Sequence, residues 1–247
     1  MQGSTLRLDK VSVAYNRDIM VLNDVCLEAR PGQVTGIIGP NGAGKSTVLK
    51  TIFGLLPTRT GTIHLDDTDV TGRKAFQRSL MGISFVPQNR SSFLGLSVQD
   101  NLALGCWPFR RDKARMARAI DGVYERFPIL KEKRAEHASS LSGGQQRLLE
   151  IARALVTDPK VILLDEPTAM IAPKISKEIY ALTRSLADDG ATVILVDQNV
   201  RQCAAISDRL FILELGRNKA DGTKEDFASD SQVRDMVSQW MNYKIDA

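Results

Sequence analysis

A glycine-rich segment between two apolar runs carries the residues best suited to hold a polyphosphate. Residues 39–47 complete a G-x-x-x-x-G-K-[ST] motif. Its glycines let the backbone curl until amide groups point inward, and the following helix start adds partial positive charge. Lys45 is placed to reach the β- and γ-phosphates, and the Ser46 hydroxyl to ligate Mg²⁺. We therefore predict a nucleoside triphosphate site built from Gly39, Pro40, Asn41, Gly42, Ala43, Gly44, Lys45, Ser46 and Thr47.

A second segment suited to anions lies further along the chain. Leu141-Ser142-Gly143-Gly144-Gln145 precedes residues 146–156, where apolar side chains recur at helical spacing. A serine hydroxyl, free backbone N–H groups and the positive end of a helix together favour an anion. Taken alone, these residues are equally consistent with an ordinary helix cap after a flexible turn.

An acidic pair follows the apolar run at residues 161–164. Four consecutive apolar residues are typical of a strand buried on both faces of a parallel sheet. Asp165 and Glu166 then lie at the carboxyl end of that strand, where open α/β sheets bind ligands. We expect Asp165 to hold Mg²⁺ through water and Glu166 to polarise an attacking water. A simple turn is the alternative, but the order of the three motifs argues against it.

With these motifs in this order, the chain resembles the ATP-binding cassette (ABC) family over essentially all of its 247 residues. The resemblance implies that ATP and Mg²⁺ are bound and that Ser142, Gly143, Gly144 and Gln145 contact nucleotide. It matches Tyr15 to the aromatic that stacks on adenine, with a strand-edge aromatic as the alternative. It also matches Gln88 to the glutamine that senses Mg²⁺ and the γ-phosphate. The metal set is then Ser46, Gln88 and Asp165, and the catalytic set is Lys45, Glu166 and Gln198.

Two positions depart from the usual family pattern. Ala172 stands where many members carry an aspartate, and Gln198 stands where most carry a histidine. A glutamine can still donate a hydrogen bond to phosphate, but it cannot carry a proton or a full charge. Ala172-Pro173 with Gln198 resembles the ATPases of branched-chain amino acid importers, including related urea and amide uptake systems. Against that branch, Met170 and Ile171 replace the usual Gly and Leu, and the segment around Gln198 is also similar to the lipopolysaccharide-export ATPase.

The resemblance also implies partners. Each chain has one phosphate loop (residues 39–47) and one segment that matches the family's signature motif (residues 141–145). This implies a head-to-tail dimer, either a homodimer or a heterodimer with a second ABC ATPase. Transmembrane permease subunits and, indirectly, an external solute-binding protein would complete an importer. A nucleotide-gated scaffold that moves no solute is the rival interpretation. The sequence does not identify the solute.

Composition limits the other classes. The net charge of +4 does not demand nucleic acid, and we predict no such partner. No apolar run approaches the ~18–20 residues of a membrane span, and the start of the chain lacks a secretory pattern. We therefore expect a cytoplasmic protein peripheral to the inner face of the cell membrane. The three scattered cysteines are expected to be packing residues, and the two histidines exclude a histidine-rich metal site.

Periodicity supplies the elements that must position these residues. The predicted fold is α/β, a P-loop NTPase with a RecA-like, mostly parallel sheet. A small antiparallel β subdomain comes from residues 6–13, 21–29 and 62–65, with a hairpin turn rather than a calcium loop at 66–69. We expect a single ABC ATPase domain over 1–247, with its core at about 1–89 and 158–247 and an inserted helical subdomain at about 90–157. After residue 157 we predict strands at 161–164, 192–196 and 210–213, and helices at 173–188 and about Ala204. A helix from Val233 is predicted to pack on the protein's own core, with a subunit interface as the alternative. An arginine- and lysine-rich cluster in the helical part is read as a solvated face, with contact to a membrane subunit or anionic lipid as the alternative: Arg110, Arg111, Lys113, Arg115 and Arg118.

Overall fold

Short apolar segments separated by turns give ten strands and eight α-helices in the computed structural model, which describes residues 1–15, 19–223 and 226. The strands are β1 (Leu6–Tyr15), β2 (Ile19–Ala29), β3 (Val34–Ile38), β4 (Thr60–Leu65), β5 (Thr68–Asp69), β6 (Ile83–Val86), β7 (Val161–Asp165), β8 (Thr192–Val196), β9 (Arg209–Glu214) and β10 (Arg217–Thr223). The helices are α1 (Lys45–Phe53), α2 (Ala75–Leu80), α3 (Val98–Gly105), α4 (Lys113–Arg126), α5 (Pro128–Glu132), α6 (Gly143–Leu155), α7 (Pro173–Asp188) and α8 (Val200–Ile206).

The larger sheet has the strand order β10-β9-β3-β8-β7-β6 and is parallel except for β10, which pairs antiparallel with β9. Strands β3, β7 and β8 are buried throughout, as expected for apolar runs covered on both faces. In register, Val196 of β8 lies opposite both Ile37 of β3 and Asp165 of β7. The loops that follow these three strands therefore emerge side by side.

The smaller sheet is antiparallel, with the order β2-β1-β4-β5, and confirms the predicted β subdomain. The predicted hairpin turn joins β4 to β5, where Asp66 adopts a left-handed φ of 52°. One apolar core lies between this sheet, α1 and the large sheet. A second core fills the opposite face, under α3, α4, α6 and α7.

The chain between β6 and β7 forms the helices α3, α4, α5 and α6. Helix α6 begins at Gly143, three residues before the predicted start at Gln146, because Ser142 caps it. The exact division of the chain at residues 90 and 157 stays a prediction, and the proposed helix from Val233 lies outside the described residues.

The cysteine prediction is only partly correct. Cys106 and Cys203 are fully buried packing residues, whereas Cys26 is exposed on β2. Its neighbours Val25 and Leu27 take the inward positions of the strand, so the alternation of side chains turns Cys26 outward. Within the described ranges, no helix combines the length and apolarity that crossing a bilayer requires.

Candidate nucleotide-binding and hydrolysis site

The phosphate loop joins the carboxyl end of β3 to the start of α1, as its sequence predicts. Gly39 and Gly44 have φ values of 154° and 99°. A Cβ atom at Gly39 would lie 2.1 Å from the carbonyl oxygen of Leu213, so a side chain cannot fit there. In the described part of the chain, no side chain caps the N-terminus of α1. That helix end is suited to an anion.

Two side chains of the loop face inward. The Lys45 Nζ atom donates hydrogen bonds to the carbonyl oxygens of Gly39 and Pro40, both at 2.9 Å, so the ammonium group lies across the loop. The Ser46 hydroxyl donates to Asp165 Oδ1 at 2.8 Å. Burial raises the pKa of Asp165, and its hydrogen bond from Ser46 opposes that effect. The structure therefore joins the first and third sequence motifs directly.

Glu166 follows β7, and its side chain contacts residues that follow the neighbouring strands β6 and β8. Its Oε2 atom accepts hydrogen bonds from Gln88 Nε2 and from Gln198 Nε2, both at 2.5 Å. Its backbone N–H donates to Val196 at 2.7 Å, and its φ of 46° lies in the left-handed region. Burial raises the pKa of Glu166, the Gln198 hydrogen bond lowers it, and the nearby Asp165 charge raises it. A buried carboxylate with a raised pKa is suited to polarising a water molecule.

The signature residues form a cap on their own helix. Ser142 Oγ accepts from the Gln145 backbone N–H at 3.3 Å, and the Gln145 side chain accepts from the Ser142 N–H at 3.1 Å. Gly143 lies under the Arg90 guanidinium. Among the described residues, no hydrogen bond joins positions 142–145 to the phosphate loop. The structure thus keeps the two predicted anion sites of one chain separate.

Tyr15, the predicted adenine contact, ends β1 and is 38% exposed, so its ring is accessible. The contact itself stays a prediction.

Met170 combines an unfavourable backbone with a solvent-exposed side chain. Its side chain is fully exposed, and its φ of 57° is a conformation that favours glycine. This is the position where the sequence departs from the glycine usual in the family.

Sequence reasoning missed two buried charged residues beside the site, Arg147 and Glu150 on α6. Arg147 donates to the backbone carbonyls of Asp165, Glu166 and Pro167 at 3.1, 3.0 and 3.0 Å. The available signal was an oppositely charged i,i+3 pair in a helix that otherwise reads as amphipathic. Such pairs normally lie on the solvated face, so the pattern alone predicts surface residues.

Comparison with known proteins agrees with this geometry. The sequence model of the ABC transporter family matches residues 22–169. The BraG protein of Pseudomonas aeruginosa, a high-affinity branched-chain amino acid transport ATP-binding protein, is 39% identical over 93% of this chain and 97% of its own length. The lipopolysaccharide export ATP-binding protein LptB of Escherichia coli K12 is 36% identical over 94% of this chain and 95% of its own length.

Solved structures show the same fold. The ADP conformation of an ATP-binding cassette from an ABC transporter superposes with a TM-score of 0.83 at 27% identity, and the match covers 94% of this chain and 98% of that one. The family match, the geometry of the phosphate loop and the hydrogen bonds from Gln88 and Gln198 to Glu166 support the same assignment. This chain belongs to the ABC transporter family and is an ATP-binding ATPase subunit of that family.

Proposed function

We propose that this chain hydrolyses Mg-ATP to power a membrane importer for branched-chain amino acids or a related small solute. The observation that carries the proposal is the Glu166 carboxylate, which receives amide hydrogen bonds from Gln88 and Gln198 at the strand edge beside the phosphate loop. The importer branch is supported by the likeness to BraG and by Ala172-Pro173 together with Gln198.

The donor set fits Mg²⁺. The Ser46 hydroxyl and the Asp165 carboxylate are already 2.8 Å apart, and Gln88 supplies an amide oxygen from the neighbouring strand end. Hydroxyl, carboxylate and amide oxygens are the hard ligands that Mg²⁺ prefers. When bound, the ion would neutralise charge on the β- and γ-phosphates.

Each protein group has a distinct role at the triphosphate. The backbone amides of residues 39–47 bind the phosphate oxygens, and Lys45 exchanges its carbonyl partners for the β- and γ-phosphates. Glu166 orients the attacking water and accepts its proton. Gln198 donates a hydrogen bond to the terminal phosphate, and because its amide is neutral it takes no part in proton transfer.

The signature residues complete the site of a second cassette. Ser142, Gly143 and Gly144 present a hydroxyl and a helix N-terminus that would meet the triphosphate held by residues 39–47 of a partner. A pair of unit charges 4 Å apart contributes about 4 kcal/mol at an effective dielectric near 20, so several contacts together favour closure. Hydrolysis weakens these contacts and reopens the dimer. The partner is a second copy or a related ATPase.

An apolar surface suited to docking the membrane subunits lies next to the residues around Gln88. Its cavity of about 780 Å³ lies between the large sheet and the helices α2 and α3. Its lining includes large apolar side chains that are at least 37% exposed, namely Phe76, Leu80, Phe93, Leu104 and Trp107. An apolar patch of this kind is typical of a binding surface. We propose that it receives a permease segment at the cytoplasmic face of the membrane, with an external binding protein supplying solute.

Hydrolysis by the purified chain with Mg-ATP tests the enzymatic part of the proposal. The Glu166→Gln variant should bind ATP with the wild-type affinity but hydrolyse it at least a hundredfold more slowly. Glu178→Gln is the matched control, because Glu178 is an exposed carboxylate on α7. Wild-type turnover in Glu166→Gln would contradict the role given to this carboxylate.

Solute uptake tests the importer part. Proteoliposomes carrying the permease subunits and this chain should take up leucine only when ATP and the external binding protein are supplied. ATP-driven release of lipopolysaccharide by the same assembly would favour the export interpretation, and hydrolysis without movement of either solute would favour a scaffold.

A further inference from the structure

Helix α6 buries an ion pair that joins two parts of the site. Arg147 Nη1 donates to Glu150 Oε2 at 2.9 Å, and the two side chains are only 6% and 1% exposed. Burying two charges is costly unless their remaining donors and acceptors are also satisfied. The remaining hydrogen-bond partners of Arg147 and Glu150 therefore indicate the role of the two buried charges.

On one side, the pair holds the end of the catalytic strand. Arg147 Nε donates to the carbonyl of Pro167, and Nη2 donates to the carbonyls of Asp165 and Glu166. These three consecutive carbonyls lie where β7 ends, next to the left-handed φ of 46° at Glu166. A planar guanidinium that contacts all three fixes the direction in which the Glu166 side chain leaves the backbone.

On the other side, the pair holds the segment that follows β6. Arg147 Nη1 also donates to the carbonyl of Pro87 at 2.7 Å. Glu150 Oε1 accepts from the backbone N–H groups of Ser91 and Ser92 at 2.5 and 3.0 Å. Ser91 and Glu150 both line the apolar docking cavity. One side-chain pair thus contacts the backbone on both flanks of Gln88 and the backbone of Glu166.

We propose that Arg147 and Glu150 are positioning residues that hold Glu166 in its hydrolytic geometry by tying the end of β7 to residues 87–92. Among the described residues, the side-chain hydrogen bonds of Arg147 go to four backbone carbonyls and to Glu150, so we infer that it acts through the position of Glu166. This inference rests on the proposed catalytic role of Glu166.

The test compares two buried arginines in the full chain. Arg147→Lys keeps the charge but cannot reach all of the acceptors, so kcat for ATP should fall at least tenfold while KM stays within twofold. Arg78→Lys is the matched control, because Arg78 is 2% exposed and donates to the carbonyls of Thr51, Ile52, Thr71 and Arg73, away from Glu166. It should lower the melting temperature and leave kcat within twofold of wild type.

A third variant keeps the inference open to test if Arg147→Lys does not fold. Glu150→Gln removes the ion pair but keeps the shape, and it should lower kcat at least fivefold at unchanged KM. The double variant Arg147→Lys/Glu150→Gln should be no slower than the slower single variant, because the two residues act as one unit.

The outcomes separate the two proposals. If Glu166→Gln stops hydrolysis but Arg147→Lys and Glu150→Gln keep wild-type kcat, the positioning role is wrong and the catalytic role of Glu166 survives. An equal loss of kcat in Arg78→Lys would also overturn the positioning role, because it would reduce the effect to general destabilisation. Wild-type hydrolysis by Glu166→Gln would instead refute the proposed function.

Discussion

Replacing Lys45 by Ala removes the one side-chain cation of the phosphate loop that the structure holds against its carbonyls, at 2.9 Å from both Gly39 and Pro40. With bound ATP the ammonium group would exchange these neutral acceptors for charged phosphate oxygens. A unit charge pair at 4 Å contributes about 4 kcal/mol at an effective dielectric near 20. Because about 1.4 kcal/mol corresponds to a tenfold change, Kd for Mg-ATP should rise by roughly a thousandfold.

Thermal unfolding measures this change without requiring hydrolysis. At a nucleotide concentration of about 100 times the wild-type Kd, binding stabilises the folded state by about 2.7 kcal/mol, whereas a thousandfold weaker Kd leaves about 0.06 kcal/mol. For a domain of this size, 2.7 kcal/mol corresponds to a rise in melting temperature of about 5–10 °C. We therefore expect a clear nucleotide-induced shift in wild type and almost none in Lys45→Ala.

Two features make the result decisive. Lys177→Ala is the control, since Lys177 is an exposed lysine on α7 and its variant should keep the full shift. The unliganded Lys45→Ala protein should still show a cooperative transition, which separates lost binding from lost folding. A nucleotide-induced shift of wild-type size in Lys45→Ala would refute the assignment of the phosphate loop.

Two further predictions concern the pH dependence of hydrolysis and the backbone at Met170. In the proposed mechanism Glu166 acts as a carboxylate, and the Gln198 hydrogen bond lowers its pKa. Gln198→Leu should therefore move the acidic limb of the kcat profile to higher pH, and an unchanged limb would show that Gln198 does not act on this carboxylate. Met170→Gly should stabilise the protein by about 0.5–1 kcal/mol. A left-handed conformation costs a non-glycine residue roughly 1–2 kcal/mol, and the greater conformational entropy of glycine in the unfolded chain offsets part of the gain. Calorimetry should show that Met170→Ala gives no comparable gain, and equal stabilisation by alanine would contradict this reasoning.

The sequence predicted those parts of the fold in which local pattern and burial agree. Strands β7 and β8 are buried throughout, and each has four consecutive apolar residues, Val161–Leu164 in β7 and Val193–Val196 in β8. Helix α7 was predicted with the bounds that it has, Pro173–Asp188. Strand β10 was not predicted, because its sequence Arg-Asn-Lys-Ala-Asp-Gly-Thr is polar and it forms only as the antiparallel edge of β9. Its pairing depends on a neighbouring strand rather than on its own periodicity.

The sequence proposed individual residues for the site but did not predict the network that joins them. Motifs proposed Lys45 and Glu166, and the family resemblance proposed Gln198. The shared Oε2 acceptor that joins Gln88 and Gln198 was not predictable, because it depends on the register of the parallel strands. Arg147 was missed for a similar reason. Its role depends on three carbonyls contributed by residues 165–167, which come next to α6 only in the folded chain.

The most direct test of the composite ATP site is the sedimentation of Glu166→Gln with saturating Mg-ATP. We expect this variant, alone or mixed with a companion ABC ATPase, to sediment at about twice the mass of the 27.2 kDa chain. The double variant Glu166→Gln/Lys45→Ala should sediment as a monomer. A Glu166→Gln protein that binds Mg-ATP yet stays monomeric under both conditions would contradict the proposal that two cassettes share each nucleotide.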